Sequence, residues 1–230
     1  MPQLILFLEG YVAVITRLIG SKGRTPKVKV YLDGQFAFSL EPVVALEAGL
    51  RPKRELSADQ QKELEYANKL RLALSAAERL ISFRPRSEAE LRQNLVRKGF
   101  ANDVIMQALD RLRQSGLIDD VAFARYWAEN RAAFRPRGQR LVQSELRHKG
   151  VALEVAQDAT AEMDDAESAY VAGLKKARLL HGCDYNEFSR KLGEYLRRRG
   201  YGYDAVRFSI KRLWQEVVHK ESNLFENIEE

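Results

Sequence analysis

Arginine grips a carboxylate or a phosphate through two parallel N–H donors, and this chain writes one arginine-rich phrase twice. From Arg84 to Phe100 it reads RPRSEAELRQNLVRKGF, and from Arg135 to Val151 it reads RPRGQRLVQSELRHKGV. In each copy two arginines flank a proline, an amphipathic stretch follows, and a run of cations meets a glycine. The chemistry on offer is fork-like capture of an acidic partner by Arg84 and Arg86, and again by Arg135 and Arg137. Arg97 and Lys98, then Arg140, Arg147 and Lys149, and finally Arg197, Arg198 and Arg199 extend the candidate surface for a protein partner or DNA.

Helix grammar accounts for part of this phrase. Ser87-Glu88-Ala89-Glu90 reads as a capping box, Leu91 and Leu95 as an apolar pair one turn apart, and Gly99 as a left-handed stop. Arg97 and Lys98 fall in a last turn, where cations complement the negative end of the helix dipole. The endings RHKG and RRRG fit the same rule. The arginines around Pro85 and Pro136 do not, because a cation ahead of a helix N-terminus faces its positive end at a cost of roughly a few tenths of a kcal/mol. They need compensation, either from Asp119, Asp120, Asp164 or Asp165 or from a partner's carboxylates or phosphates. Partner contact is the expectation for at least one arginine of each pair.

Other chemistry is sparse. One aspartate of Asp119-Asp120 and one of Asp164-Asp165 reads as a helix N-cap, and no cluster with metal-ligand spacing is present. Phe123, Tyr126, Trp127 and Phe134 recur at helical spacing and read as core. Tyr195, Tyr201, Tyr203 and Trp214, set among Arg197, Arg198 and Arg199, are candidates for stacking on nucleic acid, with packing the preferred reading. Cys183 is the single cysteine, so no internal disulfide forms, and nothing local marks its thiol as activated. His148 sits in a basic helix end, while His181 and His219 are isolated. With no phosphate loop, nucleophile elbow or zinc-protease motif, a protein that is not an enzyme and carries no cofactor is expected.

Elements must position these cations. The chain has 230 residues, 30% of them charged, and a net charge of +6, which suits an acidic partner. The apolar start, Leu4 to Ile19, lacks a basic leader region and is interrupted by Glu9 and Arg17, so it reads as a strand rather than a targeting or membrane segment. A cytoplasmic protein is expected. Asp33-Gly34 between alternating runs predicts a hairpin in a small antiparallel sheet of about three strands, ending near Leu40. A short helix follows, with Pro42 in its first turn and Gly49 at its end. From Ser57 onward the periodicity is helical, and the stretch up to Phe83 forms one helix or two.

Taking the glycines as anchors reveals a repeat of about fifty residues. Leu95 and Leu146 precede Gly99 and Gly150 at one offset, Leu91 and Val142 lie a turn earlier, and Leu112 and Met163 match downstream. Gly200 anchors a third copy with Leu192, Leu196, Asp204 and Leu213. The prediction is mainly α: nine helices in three units over roughly 66–114, 119–163 and 165–220, forming a modular body behind the β-rich start. The domain boundaries expected are 1–56, 57–117, 118–163, 164–220 and an acidic tail at 221–230.

These spaced motifs, together with VIMQALDRLRQSGLIDDVAFARYWAENR and LGEYLRRRGYGYDAV, resemble the RecX family of bacterial regulatory proteins over about 160 residues. The β-rich start is similar to the extension of longer members. The resemblance implies tandem three-helix repeats and a non-enzymatic modulator that lies in the groove of the RecA–DNA filament. It would restrain the RecA ATPase, strand exchange and coprotease activities, and so modulate recombinational DNA repair and the SOS response. A monomer with weak affinity for single- and double-stranded DNA is expected. The third unit departs from the pattern: Tyr185 and Glu187 stand where Arg135 and Arg137 would, and residues 154–167 hold six acidic side chains and no basic one. The alternative reading is a stand-alone DNA-binding protein that acts without RecA, which would bind bare DNA tightly with a steep salt dependence.

Overall fold

The structure, a computed structural model, describes residues 12–23 and 26–226, with side chains as far as Glu216. The expected strand residues before Val12, Arg24 and Thr25 of the predicted turn, and the last four residues of the predicted tail lie outside the described residues. The chain divides into two compact units: Met1–Arg84 with Leu91–Ile118, and Pro85–Glu90 with Asp119–Glu230.

The first unit opens with β1 (Val12–Gly20), β2 (Val28–Leu32), β3 (Gln35–Leu40) and β4 (Glu55–Ser57), arranged antiparallel in the order β3-β2-β1-β4. Asp33 and Gly34 both take positive φ, 46° and 84°, as the two-residue turn between β2 and β3 demands. Alternation buries Ala13, Ile15, Val30, Leu32, Phe38 and Leu40 on one face. The fourth strand corrects the expected three. It has three residues without a readable alternation and forms only through pairing with Val12–Val14. Between β3 and β4 lies α1 (Pro42–Glu47), and the Arg54 guanidinium donates to the Ala48 and Gly49 carbonyls just past its end, a cation at the negative end of the dipole.

A single helix, α2 (Ala58–Ile81), then runs for 24 residues from a capping box formed by Ser57 and Gln60. With α3 (Glu88–Arg97) and α4 (Asn102–Gln114) it encloses a core of leucine, isoleucine, valine and alanine. Leu91, Leu95 and Leu112, the repeat positions, are at most 2% exposed.

The second unit holds α5 (Asp120–Phe134), α6 (Gln139–His148) and α7 (Leu153–Asp158), then α8 (Asp165–Arg178), α9 (Tyr185–Arg197) and α10 (Tyr203–Glu226). Val142, Leu146, Leu192 and Leu196 are fully buried and Leu213 is 1% exposed, so the spacing placed the core in these repeats as well. α7 stops at Asp158, and beyond its end the buried Thr160 donates its hydroxyl to the Ala156 carbonyl at 2.9 Å. α10 runs through Glu226. Phe134 is not core: at the end of α5 it is 77% exposed.

Within this unit the repeated phrase makes the same joint twice. Ser87 Oγ accepts from Glu90 N at 3.2 Å, completing the predicted box, and donates to the Lys149 carbonyl at 2.6 Å. At the matching position Gly138 N donates to the Arg199 carbonyl at 2.8 Å. Both acceptors sit one residue before a repeat glycine. Gly150 and Gly200 have φ of +81° and +83°, and a Cβ on either would overlap Ala89 or Leu141 of the segment docked against it.

The aspartate pairs divide their labour across the same joints. Asp119 and Asp164 cap their own helices. Asp120 instead accepts from Glu88 N at 2.9 Å and Asp165 from Gln139 N at 2.8 Å, so each caps the helix of the docked turn. Burial raises the Asp165 carboxyl above its ordinary range.

Gly150→Ala and Gly200→Ala should each cost clearly more stability in urea unfolding than Gly99→Ala, which meets nothing within 4 Å and carries only the left-handed penalty of roughly 1–2 kcal/mol. Tyr201, buried with its hydroxyl on Ser168, has its pKa pushed up to about 12 by burial. Its contribution is fully present below the ordinary tyrosine value of about 10 and is lost as pH rises through about 12. Tyr201→Phe should flatten the fall in unfolding free energy across that window.

Candidate functional site

The four arginines of the Arg-Pro-Arg turns have different fates. Arg84 and Arg86 are half-buried, and each is already engaged within the chain. Arg137 turns to Glu145 of α6, whose carboxylate also accepts from the Trp127 indole at 2.8 Å and from Arg131 at 2.7 Å. Glu145 is 15% exposed and satisfied by three donors, so Arg137 acts in packing. Its compensation is therefore internal, but through Glu145 rather than any of the four candidate aspartates. Lys149 behaves alike, pairing with Glu90 at 2.8 Å and lying 4.2 Å above the Trp127 ring.

Arg135 is the exception: it is exposed and makes no ion pair among the described residues. It lines a cleft of about 620 Å³ between the α5–α7 and α8–α10 repeats. Arg198 and Arg199 reach the same cleft from the end of α9, and Lys175 from α8. Pro136 fixes the turn that presents Arg135. Arg137 forms part of the wall, and no carboxylate lines the cleft. Its apolar share comes from Phe134, Leu141 and Val171, and from Tyr195, whose ring carries the Arg199 guanidinium at 4.0 Å. Such a site attracts an anion, because Arg135, Lys175, Arg198 and Arg199 line it and no carboxylate does.

The remaining candidates lie elsewhere. Arg140 and Arg147, with His148, line a shallower hollow on the outer face of α6. Arg97 and Lys98 are exposed at the end of α3, and Arg197 is exposed outside the cleft lining. Tyr201 is buried, Trp214 packs against Tyr185 and Phe188, and Tyr203 is 75% exposed, which leaves Tyr195 as the stacking candidate the cleft retains. Lys175 and Phe134 were not recognised as site residues. Lys175 sits in the last turn of α8, outside any repeat phrase, and Phe134 follows the spacing of buried residues until the helix ends. Among the described residues no group of three His, Cys, Asp or Glu could hold a metal ion, and no helix is long and apolar enough to cross a membrane.

Glu145→Ala would strand Arg131 and Arg137 in a half-buried setting. It should destabilise the protein by on the order of 3 kcal/mol in urea unfolding, with the Trp127 fluorescence altered in the folded state.

The model of the first three-helix domain of RecX matches residues 73–112 and that of the second matches 119–159. A protein named regulatory protein RecX from Chlorobium limicola is 38% identical over 143 residues, 62% of this chain and 90% of the relative. The one from Mycolicibacterium smegmatis is 35% identical over 180 residues, 73% and 92% of the two chains. A crystal structure of regulatory protein RecX superposes with a TM-score of 0.67 at 23% identity, covering 86% of this chain and 98% of the other. A second, of RecX from Lactobacillus salivarius, gives 0.58 at 22% identity over 64% and 97%. At those identities the two structures speak to the fold.

Proposed function

The chain belongs to the RecX family of regulatory proteins, and from that premise we propose that it binds the RecA–DNA filament and restrains the activities of RecA. It does so as a non-enzymatic modulator, by occupying the filament groove, and works as a monomer in the cytoplasm. The motif resemblance supplies the partner, and one observation carries the contact: a cleft lined by cations without a carboxylate, with Arg135 exposed at its rim. A filament of protein on a polyanion presents many acidic groups to such a cleft.

Arg135, Lys175 and Arg198 are the contact residues in this reading. Arg140 and Arg147 add a second basic face. Arg137 and Lys149 serve the architecture instead, because their charges are already met by Glu145 and Glu90. The test titrates the protein against RecA hydrolysing ATP on single-stranded DNA. Wild type should lower the rate, and Arg135→Ala with Arg198→Ala should weaken that effect about tenfold or more while leaving the fold intact by circular dichroism. A wild-type protein without effect on RecA overturns the reading. Tight binding to bare DNA that matches its binding to preformed filament would favour a stand-alone DNA-binding protein.

A further inference from the structure

We propose that the cleft of Arg135, Lys175 and Arg198 binds a single strand of nucleic acid, with phosphates on these cations and a base stacked on Phe134 or Tyr195. This deepens the filament reading, on which it rests for the biological partner, by naming the filament component that the cleft holds.

Charge alone selects an anion, and an acidic protein surface would satisfy it. The aromatic side chains choose between the two. Phe134 ends α5 with 77% of its surface exposed, beside the rim arginine, although on the same helix face Phe123 is 1% exposed and Trp127 packs against the core. A phenyl ring left in water beside cations has no use for a carboxylate, whereas it offers a nucleobase a flat apolar face. Tyr195, partly buried against the core of its repeat and covered by the Arg199 guanidinium at 4.0 Å, adds a smaller aromatic surface to the cleft wall. Cations that track a backbone and aromatic faces that accept any base are the two parts of a sequence-tolerant single-strand site.

Strandedness follows from shape. A duplex keeps its bases stacked and offers a convex rod of phosphates. The cleft is recessed between two repeats, and its rings can be covered only by bases free to turn out. Arg137, held by Glu145, fixes one wall and keeps the Arg135 turn in place before any ligand arrives.

The experiment is fluorescence anisotropy of the full chain with labelled oligo-dT, an abasic oligonucleotide of equal length and a poly-glutamate peptide, each across a salt series. Oligo-dT should bind about tenfold more tightly than the abasic strand, and Phe134→Ala should remove about that factor. Phe134→Trp should restore it. Since Phe134 is exposed, neither change threatens the fold. Arg135→Ala and Arg198→Ala should each lower the salt slope by roughly 0.7. Equal binding of dT and abasic strands, or of dT and poly-glutamate, overturns the proposal.

RecA ATPase assays on the same variants keep the two readings apart. If the cleft variants hold single strands as well as wild type yet lose the effect on RecA, the cleft meets the RecA protein, and this inference falls while the filament reading stands. If strand binding behaves as expected while wild type leaves RecA untouched, the filament reading falls and the cleft assignment is upheld.

Discussion

Close approach of a docked turn to two glycines is the constraint on which the second unit depends. At Gly150 and Gly200 a helix stops with positive φ, and the turn that begins another helix presses into the space a side chain would fill. Once that contact is made, the other joint interactions fall within reach. The carbonyl before each glycine takes a hydrogen bond from Ser87 or Gly138, and Asp120 or Asp165 closes the exposed N-terminus of the incoming helix. One geometry thus satisfies helix ends that would otherwise leave buried donors unpaired.

The joint also sorts the cations. Arg137 and Lys149 lie near it and are answered by Glu145 and Glu90, with Trp127 lying between the two ion pairs. Arg135, one residue ahead of the proline, is turned the other way into the cleft. Two arginines separated by one proline therefore do different work: one holds the turn and the other is offered by it. This is why their repetition could not be explained by helix grammar alone, and why it does not mean that all four meet a partner.

Periodicity made the three-helix repeats legible, because a leucine at the same offset from a glycine must bury the same helix face each time; Leu95, Leu146 and Leu196 all do. The hairpin was legible from Asp33-Gly34, and the caps from Asp119 and Asp164. What could not be read depends on pairs distant in sequence. β4 exists only against β1. Glu145 finds Trp127, 18 residues away, only when α5 and α6 cross. Phe134 continues a buried period but falls where the helix ends and the core no longer reaches. Of the cleft, the arginines and Tyr195 were visible as residue types, while their convergence with Lys175 was a matter of repeat packing.

The doubled joint gives the second unit a direction. Each docked turn precedes the glycine it meets by about sixty residues, 62 between Ser87 and Lys149, so every joint closes a loop no longer than one repeat and its neighbour. The turn before α9 carries no arginine-proline pair. Asp184 caps the helix directly, and Tyr185 packs on Trp214 of its own repeat. Within the second unit such closures work like the teeth of a zipper: each joins segments close along the chain, and a fault at one is felt chiefly by the helices that meet there.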